Sequence, residues 1–68
     1  MKNKKGYSLI GVNGNAFSIM GYVRQAMKET NFNKKEIETY TKDATSSDYN
    51  HLLTISIDMI DRCNEKGE

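Results

Sequence analysis

The sequence predicts an α+β fold: a short N-terminal β-strand or hairpin followed by three α-helices, with the third helix central. Three observations carry that expectation. Residues 7–12, Tyr-Ser-Leu-Ile-Gly-Val, form a short apolar run that ends in Asn13-Gly14, the pattern of a strand closed by a turn. Beyond the turn, apolar residues recur at helical spacing in three stretches separated by capping residues. The last stretch has the broadest apolar side.

The stretch 11–21, Gly-Val-Asn-Gly-Asn-Ala-Phe-Ser-Ile-Met-Gly, admits three readings of Asn13-Gly14: a hairpin tip, a backbone cradle for an anion, or the corner where a strand becomes a helix. A hairpin requires residues 15–22 to alternate as a return strand, and they do so poorly. Ala16, Ile19, Met20, Val23, Ala26 and Met27 instead share an arc of about 100° on a helical projection, widened by Tyr22. Asn13 or Asn15 supplies the N-cap, and Asn31 suits the left-handed residue after the last turn. Gly21 costs this helix about 1 kcal/mol relative to Ala, and either joins Ser18 in a small-residue strip or is a tolerated exposed glycine.

The second helix has the clearest start. Asn33 precedes Glu36 by three residues, a capping box with Asn in the cap, and Phe32 and Ile37 stand at the two positions of a hydrophobic staple. Its apolar stripe, Ile37, Tyr40 and Ala44, is thin. Thr45-Ser46-Ser47 ends it and caps the third segment, with Asp48 beside the positive end of the helix dipole.

In the third segment Tyr49, Leu52, Leu53, Ile55, Ile57, Met59, Ile60 and Cys63 span an arc of about 200°, wider than a single small core needs. Burial from two sides, centrally or at a subunit contact, would account for it. Residues 53–60 also alternate as a strand would; the length and the intact polar face favour a helix.

Sixty-eight residues make one domain, expected over 7–66 behind a disordered basic N-terminus, 1–6. Cys63 and His51 are single, so neither an intrachain disulfide nor a four-ligand Cys/His zinc site can form; no metal site and no cofactor are expected. Packing or a second copy must then supply the stability, and a homodimer is favoured. No apolar run approaches a membrane span and no leader pattern is visible, which places the expected compartment in the cytoplasm. The net charge of +1 hides an asymmetry. Residues 1–30 carry five bases and one acid, and 31–68 carry five bases and eight acids, an acidic half that disfavours nucleic acid as a partner.

Several groups are candidates for chemistry. The turn Val12, Asn13, Gly14 and Asn15 could hold a phosphate on backbone N–H groups at a helix start, although it lacks the P-loop and dinucleotide fingerprints. His51 lies on the polar face between Asp48 and Asp58 and reads as solvated, and Cys63 reads as a buried, inert thiol. Tyr7, Phe17, Phe32, Tyr40 and Tyr49 read as core packing, for want of a basic groove beside them. No nucleophile–base pair is available, so an enzyme is not expected.

At 14–17 (Gly-Asn-Ala-Phe), 36–38 (Glu-Ile-Glu) and 44–53 (Ala-Thr-Ser-Ser-Asp-Tyr-Asn-His-Leu-Leu) the chain resembles a family of short uncharacterised proteins encoded by bacteriophages and other bacterial mobile elements. Members often read Asp-Gly-Asn-Ala-Phe and Ala-Thr-Ser-Gly-Asp-Tyr-Asp/Asn-His-Leu-Leu, so Asn13 and Ser47 depart from the commoner Asp and Gly. The resemblance carries no catalytic residues. It implies a small phage accessory protein of the kind that binds and inhibits a host protein, including antiviral defence machinery. The expected partner surface is an apolar patch of Tyr22, Tyr49, Leu52, Ile55 and Met59. The alternative is a binder that sequesters a nucleotide-like small molecule at Val12 to Asn15.

Overall fold

The computed structural model describes residues 6–66, so the expected basic arm lies outside the described residues apart from Gly6. Three helices follow one another: α1 (Ala16–Glu29), α2 (Lys34–Ala44) and α3 (Tyr49–Lys66). The fold is all-α, and the described residues contain no strand, which corrects the α+β expectation.

The physical reason lies in where the backbone of 7–12 finds its hydrogen bonds. A strand needs a neighbouring strand, and every other long stretch of this chain is helical. Tyr7 is served instead by a side chain: its N–H donates to Asn64 Oδ1 at 2.7 Å, and Asn64 Nδ2 donates to its carbonyl at 3.0 Å. The amide of α3 thus pairs one residue of the segment as a strand would. The segment then turns early. Val12 N–H donates to the Leu9 carbonyl at 3.1 Å with Gly11 at φ +89°, the left-handed third residue of a type II turn.

Asn13-Gly14 is therefore a corner and no hairpin tip. A type I′ tip needs positive φ at both central residues, and neither Asn13 nor Gly14 has it. Asn13 Oδ1 accepts the Asn15 N–H at 3.1 Å, and Asn15 Oδ1 accepts the Ser18 N–H at 2.9 Å as the N-cap of α1. The far end of α1 closes with Asn31 at φ 70°, Asn31 N–H on the Lys28 carbonyl at 3.3 Å and Phe32 N–H on the Met27 carbonyl at 3.0 Å, a Schellman motif.

Phe32 leads directly into the capping box of α2, in which Glu36 N–H donates to Asn33 Oδ1 at 2.8 Å and Asn33 N–H to Glu36 Oε1 at 2.9 Å. The cap of α3 is Asp48, not the preceding Thr-Ser-Ser: His51 N–H reaches Asp48 Oδ1 at 3.0 Å. Thr45 and Ser46 turn their hydroxyls back onto the Thr41 and Asp43 carbonyls, at 3.0 and 2.7 Å, and finish α2. Residues 53–60 are helical throughout.

The core forms where α1 lies on α3. Ile19, Val23, Ala26 and Met27 meet Leu52, Ser56, Ile60 and Cys63, and α2 adds Ile37, Tyr40 and Ala44. Burying each large apolar side chain contributes roughly 1.5–3 kcal/mol. The buried Tyr40 and Ser56 hydroxyls satisfy one another at 2.6 Å. Among the described residues no buried side-chain polar atom lacks a partner.

The wide apolar side of α3 is covered in part, from two directions, by its own chain, and Ile57 and Tyr49 stay exposed at 55% and 45%. Leu52, Ile60 and Cys63 are sealed under the other helices, and the segment 7–14 runs antiparallel along the far flank, from Asn64 at one end to Tyr49 at the other. Tyr7 Oη donates to Glu29 Oε1 at 2.6 Å, Ser8 N–H donates to Tyr22 Oη at 2.9 Å, and the two rings meet edge to face at 6.3 Å. This strap straddles α1 and α3.

Desolvation, and then the Glu29 carboxylate, push the Tyr7 phenol up to about 12. An unfolded chain releases that proton near 10. The folded form therefore holds the proton longer, and the stabilisation is complete below pH about 10 and is lost as pH rises from there toward 12. A phenolate absorbance titration is expected to show the Tyr7 transition displaced to high pH, and Tyr7→Phe to remove it together with part of the alkaline unfolding.

Candidate functional site

On the flank of α2 opposite α1, a groove of about 470 Å³ separates α2 from α3. Its apolar surface comes from Phe32, Tyr40, Ile55 and Met59, and its rim from Lys35, Glu36, Asp43, Asp58 and Arg62. Local sequence explains the placement. The Schellman motif and the staple position fix Phe32 at the corner, where Lys66 Nζ stands 4.3 Å from the ring centroid. Ile55, Asp58, Met59 and Arg62 follow i, i+3, i+4, i+7, so α3 presents an apolar pair flanked by a charged pair along one stripe.

Tyr40 spans core and groove. Its hydroxyl is fixed to Ser56 in the interior while its ring lines the groove, and burial raises its pKa. Arg62 Nε and Asp58 Oδ2 pair at 3.1 Å in the open, an exposed ion pair of small energetic weight. At the other end His51 Nε2 lies 3.1 Å from Asp43 Oδ1 and ties the first turn of α3 to the last turn of α2. Ile55 and Met59 are partly covered. A groove with an apolar floor and a rim of both signs accepts one face of an amphipathic segment.

The expected partner residues separate in space. Ile55 and Met59 sit together in the groove. Leu52, 3% exposed, belongs to the core, and Tyr22 lies beneath the strap with its hydroxyl engaged by Ser8. Tyr49 stands on the opposite flank and donates its hydroxyl to the Gly14 carbonyl. Five residues read as one patch thus lie in four places, because a 200° arc on α3 cannot face one direction and Tyr22 belongs to α1.

The turn expected to hold a small ligand stands exposed, with several of its polar groups engaged within the protein. Val12 N–H is in the type II turn, the Asn13 and Asn15 side chains bond each other and the backbone of the cap, and the Gly14 carbonyl is taken by Tyr49. The sequence reading passed over Phe32, Tyr40, Asp58 and Arg62 as groove residues. The stripe at 55, 58, 59 and 62 was the available signal, and it was masked by the breadth of apolar surface around it.

Cys63 is fully buried, and desolvation pushes its thiol pKa up, partly offset by the Thr30 hydroxyl and the Lys66 charge. A thiol-specific reagent is expected to label native protein slowly and denatured protein at once; equal rates would contradict the burial. Among the described residues no cluster of three His, Cys, Asp or Glu could hold a metal, and no helix is long and apolar enough to cross a membrane.

No protein-family model, curated protein or solved structure matches the chain. Function is read, in consequence, from the chemistry of the groove.

Proposed function

We propose that the protein acts by binding and not by catalysis: a phage-type accessory protein that seats a segment of a host protein in the α2–α3 groove and blocks it sterically. The single observation that carries this reading is the partly open apolar floor of Ile55, Met59, Tyr40 and Phe32 inside a charged rim. The sequence likeness at 44–53 supports the accessory role, with antiviral defence machinery as one class of target. Ser56 is consumed by Tyr40 and Cys63 is sealed.

The experiment is capture of partners from infected host cells with the tagged chain and with Met59→Glu, which places a charge on the groove floor. The wild-type chain is expected to retain a partner that Met59→Glu loses at least tenfold, a loss of about 1.4 kcal/mol in binding, with helicity unchanged. Asp61→Lys, on the polar face of α3, is expected to keep it. A partner held equally by all three overturns the groove. A parallel thermal-shift panel of mono-, di- and cyclic nucleotides tests the turn at Val12 to Asn15: a ligand at 100 times its Kd adds about 2.7 kcal/mol. A clear rise there would move the function from the groove to the turn.

A further inference from the structure

We propose that the face formed by α1 and α2 on the side away from the groove docks against the phosphate backbone of duplex nucleic acid. Two adjoining hollows open there. Arg24, Lys28 and Lys34 line one; Arg24, Lys35 and Lys42 line the other. Glu38 is the single carboxylate between them. Five of the seven bases among the described residues therefore gather on one face, and no ion pair engages any of the five among those residues.

This concentration is a product of folding. Counted along the chain, the second half is acidic, and the sequence pI of about 7.8 shows no excess. The helical register sorts the charges: Lys34 and Lys42 leave α2 toward the α1 side, Glu36 and Asp43 leave it toward α3, and Lys35 stands on the ridge between, lining both the groove and the second hollow. The acids at Asp58 and Asp61 lie on α3, and the Asp43 carboxylate is held by His51. An anion approaching the two hollows meets five exposed cations and one carboxylate.

The chemistry of the face favours nucleic acid over the other polyanions. Arg24 and Lys28 form one row a helical turn apart and the α2 lysines a second, so the cations stand on two rigid rods, suited to a polymer of regularly repeated charge. The Thr39 hydroxyl lies among them, one of the side-chain types that contact phosphate, while those of Thr41 and Thr45 donate to carbonyls of α2. Docking to an anionic membrane calls for apolar side chains that penetrate between the cations. Here the apolar Phe32 and Ile37 line only the first hollow and are themselves partly or wholly covered.

The inference goes beyond the groove and does not depend on it. Fluorescence anisotropy of a labelled mixed-sequence DNA duplex, titrated with the full chain, tests it. Saturable binding at low salt is expected to weaken on the order of a hundredfold between about 50 and 200 mM salt, as for about four neutralised phosphates. The triple variant Lys28→Gln, Lys34→Gln, Lys42→Gln, which leaves the groove rim untouched, is expected to lose roughly tenfold or more in affinity and to flatten the salt slope. Arg62→Gln, across the groove, is expected to bind as the wild type does, and so is a chain with Lys2, Lys4 and Lys5 changed to Gln. No binding at the lowest salt, an equal loss in Arg62→Gln, or loss through the N-terminal lysines alone would overturn the proposal. Tighter association with phosphatidylserine vesicles or with polyglutamate than with the duplex would overturn it as well.

Discussion

Met27→Ala is expected to lower stability by about 2–5 kcal/mol, the range for deleting a large buried apolar side chain. Met27 is fully buried on α1, and its carbonyl accepts the Phe32 and Thr30 N–H groups at 3.0 and 3.2 Å. The cavity would open directly beneath the corner that starts α2. A chain of this size has about 3–10 kcal/mol of total stability, so the variant is expected to be largely unfolded or close to it. Thermal unfolding followed by circular dichroism checks the magnitude: each kcal/mol moves the midpoint of so small a domain by about 4–8 °C. Met27→Leu, which nearly conserves volume, is expected to cost less than about 1.5 kcal/mol. Equal losses in the two variants would mean that the site is not packed as described.

The second large effect belongs to the buried hydrogen bond between Tyr40 of α2 and Ser56 of α3. Tyr40→Phe leaves the Ser56 hydroxyl without its partner at a position with no exposure, and Ser56→Ala does the same to the Tyr40 hydroxyl. Each single change is expected to cost about 1–3 kcal/mol, the penalty for stranding a buried polar group. Removing both leaves no orphan, so the double variant is expected to be no worse than the weaker single one. A double-mutant cycle in urea measures this directly. Additive losses would show that the two hydroxyls find separate partners and that their contact does not hold α2 in place. Because the Tyr40 ring also lines the groove, the cycle doubles as a test of groove rigidity: Tyr40→Phe keeps the ring and is expected to weaken partner capture far less than Met59→Glu.

The two proposed surfaces share α2 as their dividing ridge. One flank faces α3 across an apolar floor, and the other carries the cations toward α1. A protein built this way can hold a polypeptide on one side and a phosphate backbone on the other. Each surface has its own variants, Met59→Glu for the groove and the lysine triple for the basic face, so the failure of either leaves the other standing.

How much of this was legible beforehand depends on the range of the interactions concerned. Helix caps act over three or four residues, and the sequence shows them plainly: the Asn33–Glu36 box and the left-handed Asn31 stand where local chemistry puts them. The helical character of 53–60 was also readable from its polar face. The N-terminal strand was misread because an apolar run reports that a segment will be covered and not what will cover it. Asn64, 57 residues away, supplies the hydrogen bonds that another strand would have supplied. Ser56 was invisible for the same reason, since a serine in an apolar stripe reveals nothing until Tyr40 is found opposite it.

By itself the sequence determined the three helices, the start of α2 and the inward stripes of α1 and α2, since these follow from periodicity and capping within a few residues. Only the tertiary structure decided that the opening segment is a strap and no strand, that Leu52 is core while Ile55 and Met59 face a groove, and that scattered lysines form one face. Those outcomes depend on which surfaces meet across tens of residues, and the register of one helix against another is fixed by the packing of the whole chain.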